Sequence, residues 1–290
     1  MRGCGHRSPG PASQANRVER LCVSVPLWPD SIRHGTRVTH VVDHPAFRHL
    51  DHRPWPVPDR RWAWRQTWRD LLFAHWPVAS DKLRHLVPPA LTIQEFDGTA
   101  WVGLVPFRMT GVMRRPFPDL PWISAFPEVN VRLYVEHQGK PGVWFLSLDA
   151  ENPLAVWAAR RFFRLPYFRA AFRLRQRGEQ LDYTAARTTG PPASLHVRYQ
   201  PASAVYRSVP GTLEHALTER YCLYAEAPDG SLLRNDVHHQ PWSLQKAEAE
   251  FLDNTYLSSH GLRASGAPIL HFARGIDVVV WPAQRLEAGS

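Results

Sequence analysis

Cysteine is scarce in this sequence, and its three cysteines, Cys4, Cys22 and Cys222, form no Cys-X-X-Cys pair. An odd number of unclustered cysteines argues against a disulfide framework and a zinc site, and it favours a reducing compartment. No apolar run approaches the roughly 20 residues that a membrane-spanning helix needs. We therefore expect a cytoplasmic protein with no membrane partner.

Lysine is also rare: only Lys82, Lys140 and Lys246 occur, against 32 arginines. The formal net charge is +9, and about half of it lies in the first 61 residues, so the rest of the chain is not strongly basic. Basic charge is only the first of several features that nucleic-acid-binding proteins share. We expect a small-molecule ligand and no nucleic-acid partner.

Several motifs of common enzyme classes are absent. The sequence has no His-Glu-X-X-His, Gly-X-Ser-X-Gly, phosphate-binding glycine-rich loop or dinucleotide fingerprint, which argues against the enzyme classes that use them. His40, His44, His49 and His52 have spacings that a helix could use for a metal, but their segment lacks helical periodicity and Pro45 interrupts it. We expect neither a metal nor a cofactor.

Composition divides the chain into a tail and a domain. Residues 1–53 contain Pro, Gly, Arg and His without sustained periodicity, so we expect them to be disordered or poorly ordered. From Trp62 onward the sequence is rich in Trp and other apolar residues, and no linker interrupts it. We predict a single domain over residues 54–285 and a short tail over residues 286–290.

Alternating segments and glycine-containing turns dominate that domain. We count about ten to twelve strands and three or four short helices, without a regular alternation of strand and helix. This pattern predicts a mainly β fold of the α+β class, in which an antiparallel sheet is curved or closed into a barrel with helices at its margins. An open sheet edge would favour self-association, so the sequence is compatible with a homo-oligomer.

The most regular part of the sequence is a predicted hairpin followed by a helix. Residues 129–135 alternate apolar and polar side chains, and residues 143–149 alternate again after a Gln-Gly-Lys-Pro-Gly turn. Side chains alternate across a strand, so one face of this hairpin is apolar and the other is polar. Asn152 and Pro153 then predict the cap and the first residue of a helix.

Eight segments, in this order along the chain, resemble the bacterial DUF2071 family, which is also called YqjF-like. They are DLLFAHWPV (70–78), FDGTAWVGLVPFRM (96–109), FPEVNVRLYV (126–135), GVWFLSLDA (142–150), RLPYFRA (164–170), LTERYCLY (217–224), VHHQPW (237–242) and LHFARGIDVVVWP (270–282). The similarity covers roughly residues 54–282. It implies an acetoacetate decarboxylase-like fold, with a curved antiparallel sheet or barrel around a pocket, and no established reaction.

The resemblance also implies that Schiff-base decarboxylation is absent. Relatives with that activity use a lysine whose pKa is lowered by a second cation, placed after a Gly-aromatic-Pro sequence. The similar place here, residues 165–168, contains no lysine, and Asn130 stands where an active decarboxylase carries a pocket glutamate. We expect the fold to carry over without the chemistry, because function depends on the site.

The polar face of the hairpin provides the main candidate site. If it faces the interior of the sheet, five side chains meet in one cavity: Asn130, Arg132, Tyr134, Ser147 and Asp149. Arg132 would clamp a ligand carboxylate, and Asp149 would act as a general base if burial raises its pKa. The alternative is that this face meets solvent and that Arg132 forms an ordinary surface ion pair.

Further candidates lie outside the hairpin strands. Glu151 is the alternative general base, and Tyr167 would donate a phenolic hydrogen bond to a ligand or else pack at a helix exit. His238 shares a predicted strand face with Asp236, and the two would form an oriented acid–base pair. The alternative is a structural histidine. The adjacent His239 would point to the opposite face.

Three functions follow from these observations. The leading hypothesis is a pocket that binds a small, partly apolar organic acid and performs acid–base chemistry without a cofactor. The first alternative is a non-catalytic binding or sensing module with the same pocket. The second is a structural protein whose core is filled by Trp and Phe side chains.

Overall fold

The computed structural model of the chain describes residues 44–117 and 124–287. Within these ranges it contains the helices α1 (Pro153–Phe163) and α2 (Leu213–Thr218), and 3-10 helical turns at Pro45–Arg48, Ser80–Lys82, Arg84–Leu86 and Ser258–His260. The strands of the described residues are β1 (Trp64–Val78), β2 (Thr92–Ile93), β3 (Glu95–Phe96), β4 (Thr99–Arg114), β5 (Phe126–His137), β6 (Lys140–Ala150), β7 (Tyr167–Arg177), β8 (Gln180–Arg187), β9 (Ser194–Pro201), β10 (Cys222–Glu226), β11 (Leu232–His239), β12 (Leu244–Asn254), β13 (Ile269–Val280) and β14 (Gln284–Arg285).

These strands form one ring-like sheet, which confirms the predicted mainly β fold class. A first ring runs in the order β6, β7, β8, β9, β12, β13, β1, β4 and β5, and β5 pairs again with β6. A second ring uses β10 and β11 to connect β6 with β13. The two rings therefore share five strands: β13, β1, β4, β5 and β6.

Two pairings differ from the predicted antiparallel sheet. β6 pairs in parallel with both β7 and β10. The connection from β6 to β7 passes through α1, so this part of the chain is a β–α–β crossover of the kind that parallel neighbours require. The sequence pattern does not predict this unit, because one isolated crossover produces no regular alternation of strands and helices.

The shared strands bury side chains on both faces. On β1, Leu72 and Ala74 belong to a core that also contains Tyr183 of β8, inside the first ring. Leu71 and Phe73 belong to a second core, inside the second ring. A strand that is buried on both faces has a nearly continuous run of apolar residues. The second half of β1, residues 71–78, shows this pattern.

Helix α1 begins where the sequence predicts. The Asn152 side chain accepts hydrogen bonds from the backbone N–H groups of Leu154 (2.9 Å) and Ala155 (3.2 Å), and Pro153 is the first helical residue. The helix ends at Phe163 and leads into β7. Its inner face contributes small side chains to the wall of the second ring's interior.

Part of the predicted N-terminal tail is ordered. Residues 44–53 contain a 3-10 turn, and the buried Arg53 donates a 2.5 Å hydrogen bond to the backbone oxygen of Val237. The composition on which the prediction of poor order rests carries no information about such long-range contacts. At the other end, Leu286 donates its backbone N–H to Leu232 (2.9 Å). Residues 1–43 and 288–290 of the predicted tails lie outside the described residues.

None of the helices in the described ranges has the length and apolar character needed to cross a membrane.

Candidate functional site

Three side chains on one face of β5 line a cavity inside the second ring. Glu128, Asn130 and Arg132 alternate with core residues along the strand, so all three point to the same side of the sheet. All three are buried. The polar face of the predicted hairpin is therefore interior at these positions and does not meet solvent.

The cavity has a volume of about 140 Å³ and a mostly apolar wall. Aromatic rings surround it, among them those of Trp68, Phe73, Phe107, Phe145 and Trp242. An apolar cavity of about 150 Å³ holds a molecule of the size of benzene, so this one has room for about six non-hydrogen atoms.

Glu128 and Tyr167 form an acid pair at one end of the cavity. The phenolic O–H of Tyr167 donates a 2.7 Å hydrogen bond to Oε2 of Glu128. Burial raises the pKa of Glu128 to about 8, although hydrogen bonds from Tyr167 and Asn130 partly offset this effect. At pH 7 Glu128 is therefore mostly a neutral carboxylic acid, and it can exchange a proton near neutral pH.

Two guanidinium groups lie further along the same wall. Arg132 donates from Nε to the phenolic oxygen of Tyr134 (3.1 Å) and from Nη2 to the backbone oxygen of Leu217 (3.0 Å). Arg220, which follows α2, donates from Nη1 to Oε1 of Gln94 (2.6 Å). The guanidinium carbons of Arg132 and Arg220 lie 5.5 Å and 5.2 Å from the centre of the Tyr134 ring.

Neither Arg132 nor Arg220 forms an ion pair with a carboxylate in the described parts of the chain. Nε of Arg220 is buried and has no hydrogen-bond partner there. Burial lowers the pKa of Arg220 to about 10, so the group is still charged at pH 7. Since Glu128 is mostly neutral, the cavity carries an excess of positive charge that a bound anion would balance.

The position of Arg132 depends on close packing at Gly103 of β4. Nε2 of the buried His75 lies 2.5 Å from the phenolic oxygen of Tyr134, which also accepts from Arg132. A Cβ atom at Gly103 would lie 3.1 Å from both His75 Cδ2 and that oxygen, and 3.2 Å from Cγ of Arg132. Glycine therefore leaves the space in which the three side chains meet.

Tyr134, Ser147 and Asp149 do not line this cavity, so the prediction that all five side chains meet there was wrong. Tyr134 follows Arg132 on the same face of β5 but lies beyond the cavity, whereas the other two residues lie on the opposite face of the sheet. A register shift in β6 makes Phe145 the partner of Arg132 but Ser147 the partner of Val131. One extra residue in a strand reverses the faces of the residues that follow it. Ser147 and Asp149 consequently point into the first ring.

Asp149 instead belongs to a buried ion pair. Arg187 donates two hydrogen bonds of 2.8 Å to its carboxylate, and the hydroxyl of Tyr256 donates a third of 3.1 Å. Burial raises the pKa of Asp149, and the hydrogen bonds from Arg187 oppose this. Ser147 is hydrogen-bonded to His260 (3.0 Å). Asp149 thus links β6 to β8 and faces away from the cavity.

The other predicted acid–base residues also lie elsewhere. Glu151 is exposed, and His238 is in the core beside the N-terminal segment. Asp236 accepts from Nε1 of Trp55 (3.1 Å) and pairs with Arg53 (3.7 Å). Burial lowers the pKa of His238 to about 3. No hydrogen bond joins the predicted pair within the described residues, because Trp55, Arg53 and Arg234 surround the aspartate.

Other reactive residue types have limited roles at this site. Burial raises the pKa of Cys222, which lines the cavity, to about 12, so it is present as a thiol. None of the chain's three lysines lines the cavity, so no amine is placed there for a Schiff base. In the described ranges no group of three or more His, Cys, Asp or Glu side chains could hold a metal ion, and His40 lies outside those ranges.

The structure also brings in residues that sequence reasoning missed. Glu128 lies two positions before Asn130 and has the same strand parity, so the alternation of β5 could have identified it. Arg220 follows α2, far along the chain from Arg132, and no local pattern links them. His75 lies within an apolar run that reads only as core.

Solved structures with a similar architecture show the fold of this protein. MppR, an enduracididine biosynthesis enzyme, was solved in complex with pyruvate; its TM-score is 0.56 at 13% identity, over 82% of this chain and 93% of MppR. Acetoacetate decarboxylase from Legionella pneumophila has a TM-score of 0.53 at 16% identity, over 90% of this chain and 98% of that enzyme. The fold is therefore acetoacetate decarboxylase-like, as the sequence resemblance implied.

Comparison of sequences shows higher similarity than comparison of structures does. The uncharacterised protein YqjF of Bacillus subtilis is 44% identical over 230 residues, which is 79% of this chain and 95% of YqjF. The DUF2071 family, described as an uncharacterised conserved protein, matches residues 65–277. The chain belongs to the DUF2071 family, which confirms the family expected from the sequence.

Proposed function

We propose that this protein binds a small organic acid with a carbonyl group, its carboxylate on Arg132 and Arg220 and its carbonyl oxygen towards Glu128. The observation that carries the proposal is the pair of charged guanidinium groups with no carboxylate partner among the described residues, at the wall of a mostly apolar cavity. Buried charges are normally paired, and a guanidinium group matches a carboxylate in geometry. A ligand carboxylate would complete this arrangement.

The volume of the cavity supports a ligand of about six non-hydrogen atoms. Pyruvate, the molecule bound in the fold-related enzyme MppR, is an oxo acid of this size. The apolar rings of the wall would hold its methyl group. A small oxo acid is therefore the ligand class that fits both the charge and the size of the site.

We further propose that Glu128 performs acid–base chemistry on this ligand without a cofactor. General acid–base catalysis is most efficient when the pKa of the group lies near the working pH, and the pKa of Glu128 is raised to about 8. Its protonated form would donate to the carbonyl oxygen, and its ionised form would remove a proton from the neighbouring carbon. Proton transfer next to a carbonyl group is thus the proposed reaction class.

Deuterium exchange tests this function. The protein is incubated with pyruvate in D₂O, and the methyl protons are followed by NMR. We expect exchange above the buffer rate, and we expect Glu128→Gln to slow it by roughly 100-fold or more with pyruvate affinity unchanged. Arg132→Gln should weaken binding instead. An undiminished exchange rate in Glu128→Gln would contradict the role of Glu128.

A non-catalytic binding module is the second candidate. It is favoured because the described residues that line the cavity include one carboxylate, Glu128, and therefore no second carboxylate that could act as its acid or base partner. The cavity's histidine, His239, has both ring nitrogens close to backbone oxygens, at 2.7 Å and 3.3 Å. Pyruvate binding without exchange above the buffer rate would assign this function. The volume of the cavity argues against the structural alternative with a filled core.

A further inference from the structure

A second hollow, which we call the outer cleft, lies beside the cavity and has a volume of about 580 Å³. Its wall includes His52, Trp101 of β4, Tyr134 of β5 and residues from the segment 207–221. Arg220 lines both hollows. The guanidinium group that we assign to the ligand carboxylate therefore stands between them.

One face of the sheet runs beneath both hollows. Along β5, Arg132 lines the cavity and Tyr134 lines the outer cleft; along β6, Val143 lines the cavity and Pro141 lines the outer cleft. Two residues of a strand advance by about 7 Å. The two hollows are therefore adjacent along both strands.

The unpaired polar groups at the outer cleft are mainly hydrogen-bond donors. Nε1 of Trp101 is buried and has no partner within the described chain. Nε of Arg220 also has none there, but we have assigned this group to the ligand carboxylate in the cavity. Arg207 is exposed and makes no ion pair with any described residue. Both carboxylate oxygens of the buried Glu219 are already occupied, by the hydroxyl of Tyr221 (2.5 Å) and by a backbone N–H (2.9 Å). Nε1 of Trp101 favours a ligand group with hydrogen-bond acceptors, and Arg207 favours one with a negative charge.

The carboxylate of Glu95 also lines the outer cleft and would repel an anion, but solvent screens its charge. Glu95 is exposed to solvent, and His215 is hydrogen-bonded to Ser208 (3.3 Å). Nε2 of His52 donates to the backbone oxygen of His239 (2.9 Å), which leaves Nδ1 buried without a partner among the described residues. Burial lowers the pKa of His52 and so disfavours its protonation. A bound anion would oppose this effect, and a protonated Nδ1 would then be a further donor.

We propose that the outer cleft is a second binding subsite, which takes a carboxylate or phosphate group at the far end of the same ligand. The inference rests on the proposed function, because it assumes an oxo acid in the cavity. The carbonyl carbon of a 2-oxo acid has three substituents, so its oxygen can point to Glu128, its carboxylate to Arg132 and its chain past Arg220. The substrate class is then an elongated oxo acid with a second negative charge.

Titration calorimetry of the full chain with acids of equal chain length tests this subsite. 2-Oxohexanoate ends in a methyl group, 2-oxoadipate ends in a carboxylate, and a third analogue ends in a phosphonate. We expect the better of the two dianions to bind at least about tenfold more tightly than 2-oxohexanoate. The dianion that binds more tightly identifies the distal group as carboxylate or phosphate.

Substitution of Arg207 provides the matched comparison. Arg207→Gln should reduce the preference for the dianion to within about twofold, with the affinity for 2-oxohexanoate unchanged. Arg177→Gln, which alters an exposed arginine at the end of β7, should keep the full preference. Trp101→Phe keeps the aromatic ring but removes the N–H, and it should weaken only the dianion, by about twofold to fivefold.

The possible outcomes separate the two proposals. Equal binding of the three acids, or an unchanged preference in Arg207→Gln, would overturn the second subsite. Binding of pyruvate but of none of the longer acids would also overturn it, and in both cases the proposed function survives. Failure of pyruvate and all three longer acids to bind would overturn the proposed function and the second subsite together.

Discussion

Glu128 is the residue whose chemistry depends most on its surroundings. Its side chain is buried in a mostly apolar wall, and burial raises its pKa from 4.5 to about 8. A group whose pKa is higher in the folded than in the unfolded state stabilises the protein at low pH. This contribution decreases as the pH rises from 4.5 towards 8, because the unfolded chain ionises first.

We expect Glu128→Gln to stabilise the protein more at pH 8 than at pH 5. Glutamine does not titrate, so the variant escapes the loss of stability that the parent undergoes across this range. The difference in the free energy of unfolding between variant and parent should change by up to about 4 kcal/mol. Urea unfolding at both pH values measures it. A difference that is independent of pH would contradict the raised pKa.

Substitution of Gly103 tests what positions Arg132 without altering Arg132 itself. Gly103→Ala places a Cβ within 3.2 Å of Arg132, His75 and Tyr134, so we expect these side chains to shift and pyruvate affinity to fall. Overpacking of this kind costs about 1–3 kcal/mol of stability. Calorimetry and urea unfolding measure the two effects.

The neighbouring residue on β4 provides the control for Gly103→Ala. Val102 is buried and faces the first core, so Val102→Ala should also reduce stability but should keep pyruvate affinity. If Gly103→Ala binds pyruvate as well as the parent does, the packing at Gly103 is not what positions Arg132.

At the level of elements, the hairpin β5–β6 shows how far sequence reasoning reaches. β5 alternates without interruption, so the sequence could predict that Asn130, Arg132 and Tyr134 share a face. The same alternation places Glu128 on that face. The same reasoning failed for β6, because the register shift after Phe145 exchanges its two faces. No local feature of the β6 sequence marks the extra residue.

Contacts between distant elements lay outside such reasoning altogether. Arg220 reaches the cavity from the turn after α2, and Arg53 reaches Asp236 from a segment whose composition suggested disorder. Periodicity describes only which face a residue occupies within its own element. The fold class needed no more than strand patterns and the family resemblance, whereas the partners in the site depend on how the rings close.

Asp149→Asn tests whether this residue acts in the fold or at the ligand. The substitution leaves Arg187 buried without its charged partner, so we expect a loss of about 3–5 kcal/mol in the free energy of unfolding. Because Asp149 points into the first ring, the folded variant should bind pyruvate with the affinity of the parent. Urea unfolding and calorimetry check both statements.

Asp182→Asn is the matched control for Asp149→Asn. Asp182 pairs with the partly exposed Arg198 and His196, so its loss should cost less than about 1 kcal/mol. If Asp149→Asn lowered pyruvate affinity while keeping full stability, Asp149 would return as a ligand-binding or catalytic candidate.

At the scale of the whole molecule, the ordered N-terminal segment holds the closing strands of the second ring. Arg53 and Trp55 both contact the buried Asp236 of β11. Nε1 of the fully buried Trp281, which follows β13, donates to the backbone oxygen of Arg60 (2.7 Å). Residues 44–60 therefore belong to the structural unit that encloses the site.

Removal of this segment should destabilise the whole protein. We compare a chain that begins at residue 44 with one that begins at residue 61. The shorter chain removes the contacts of Arg53 and Trp55 with Asp236, which keeps Arg234 as its partner, and it exposes Trp281. We therefore expect a loss of about 3 kcal/mol, chiefly from exposed apolar surface, and a melting temperature lower by roughly 10 °C. Calorimetric melting measures the difference. Equal melting temperatures would show that the segment is not part of the folded unit.

A titration with a charged and a neutral ligand decides whether Arg132 and Arg220 form an anion site. Calorimetry compares pyruvate with its neutral amide on the parent and on Arg132→Gln. We predict that the parent binds pyruvate at least about 30-fold more tightly than the amide, and that Arg132→Gln loses most of this preference. Equal affinity of the parent for the acid and the amide would contradict an anion site at these two arginines.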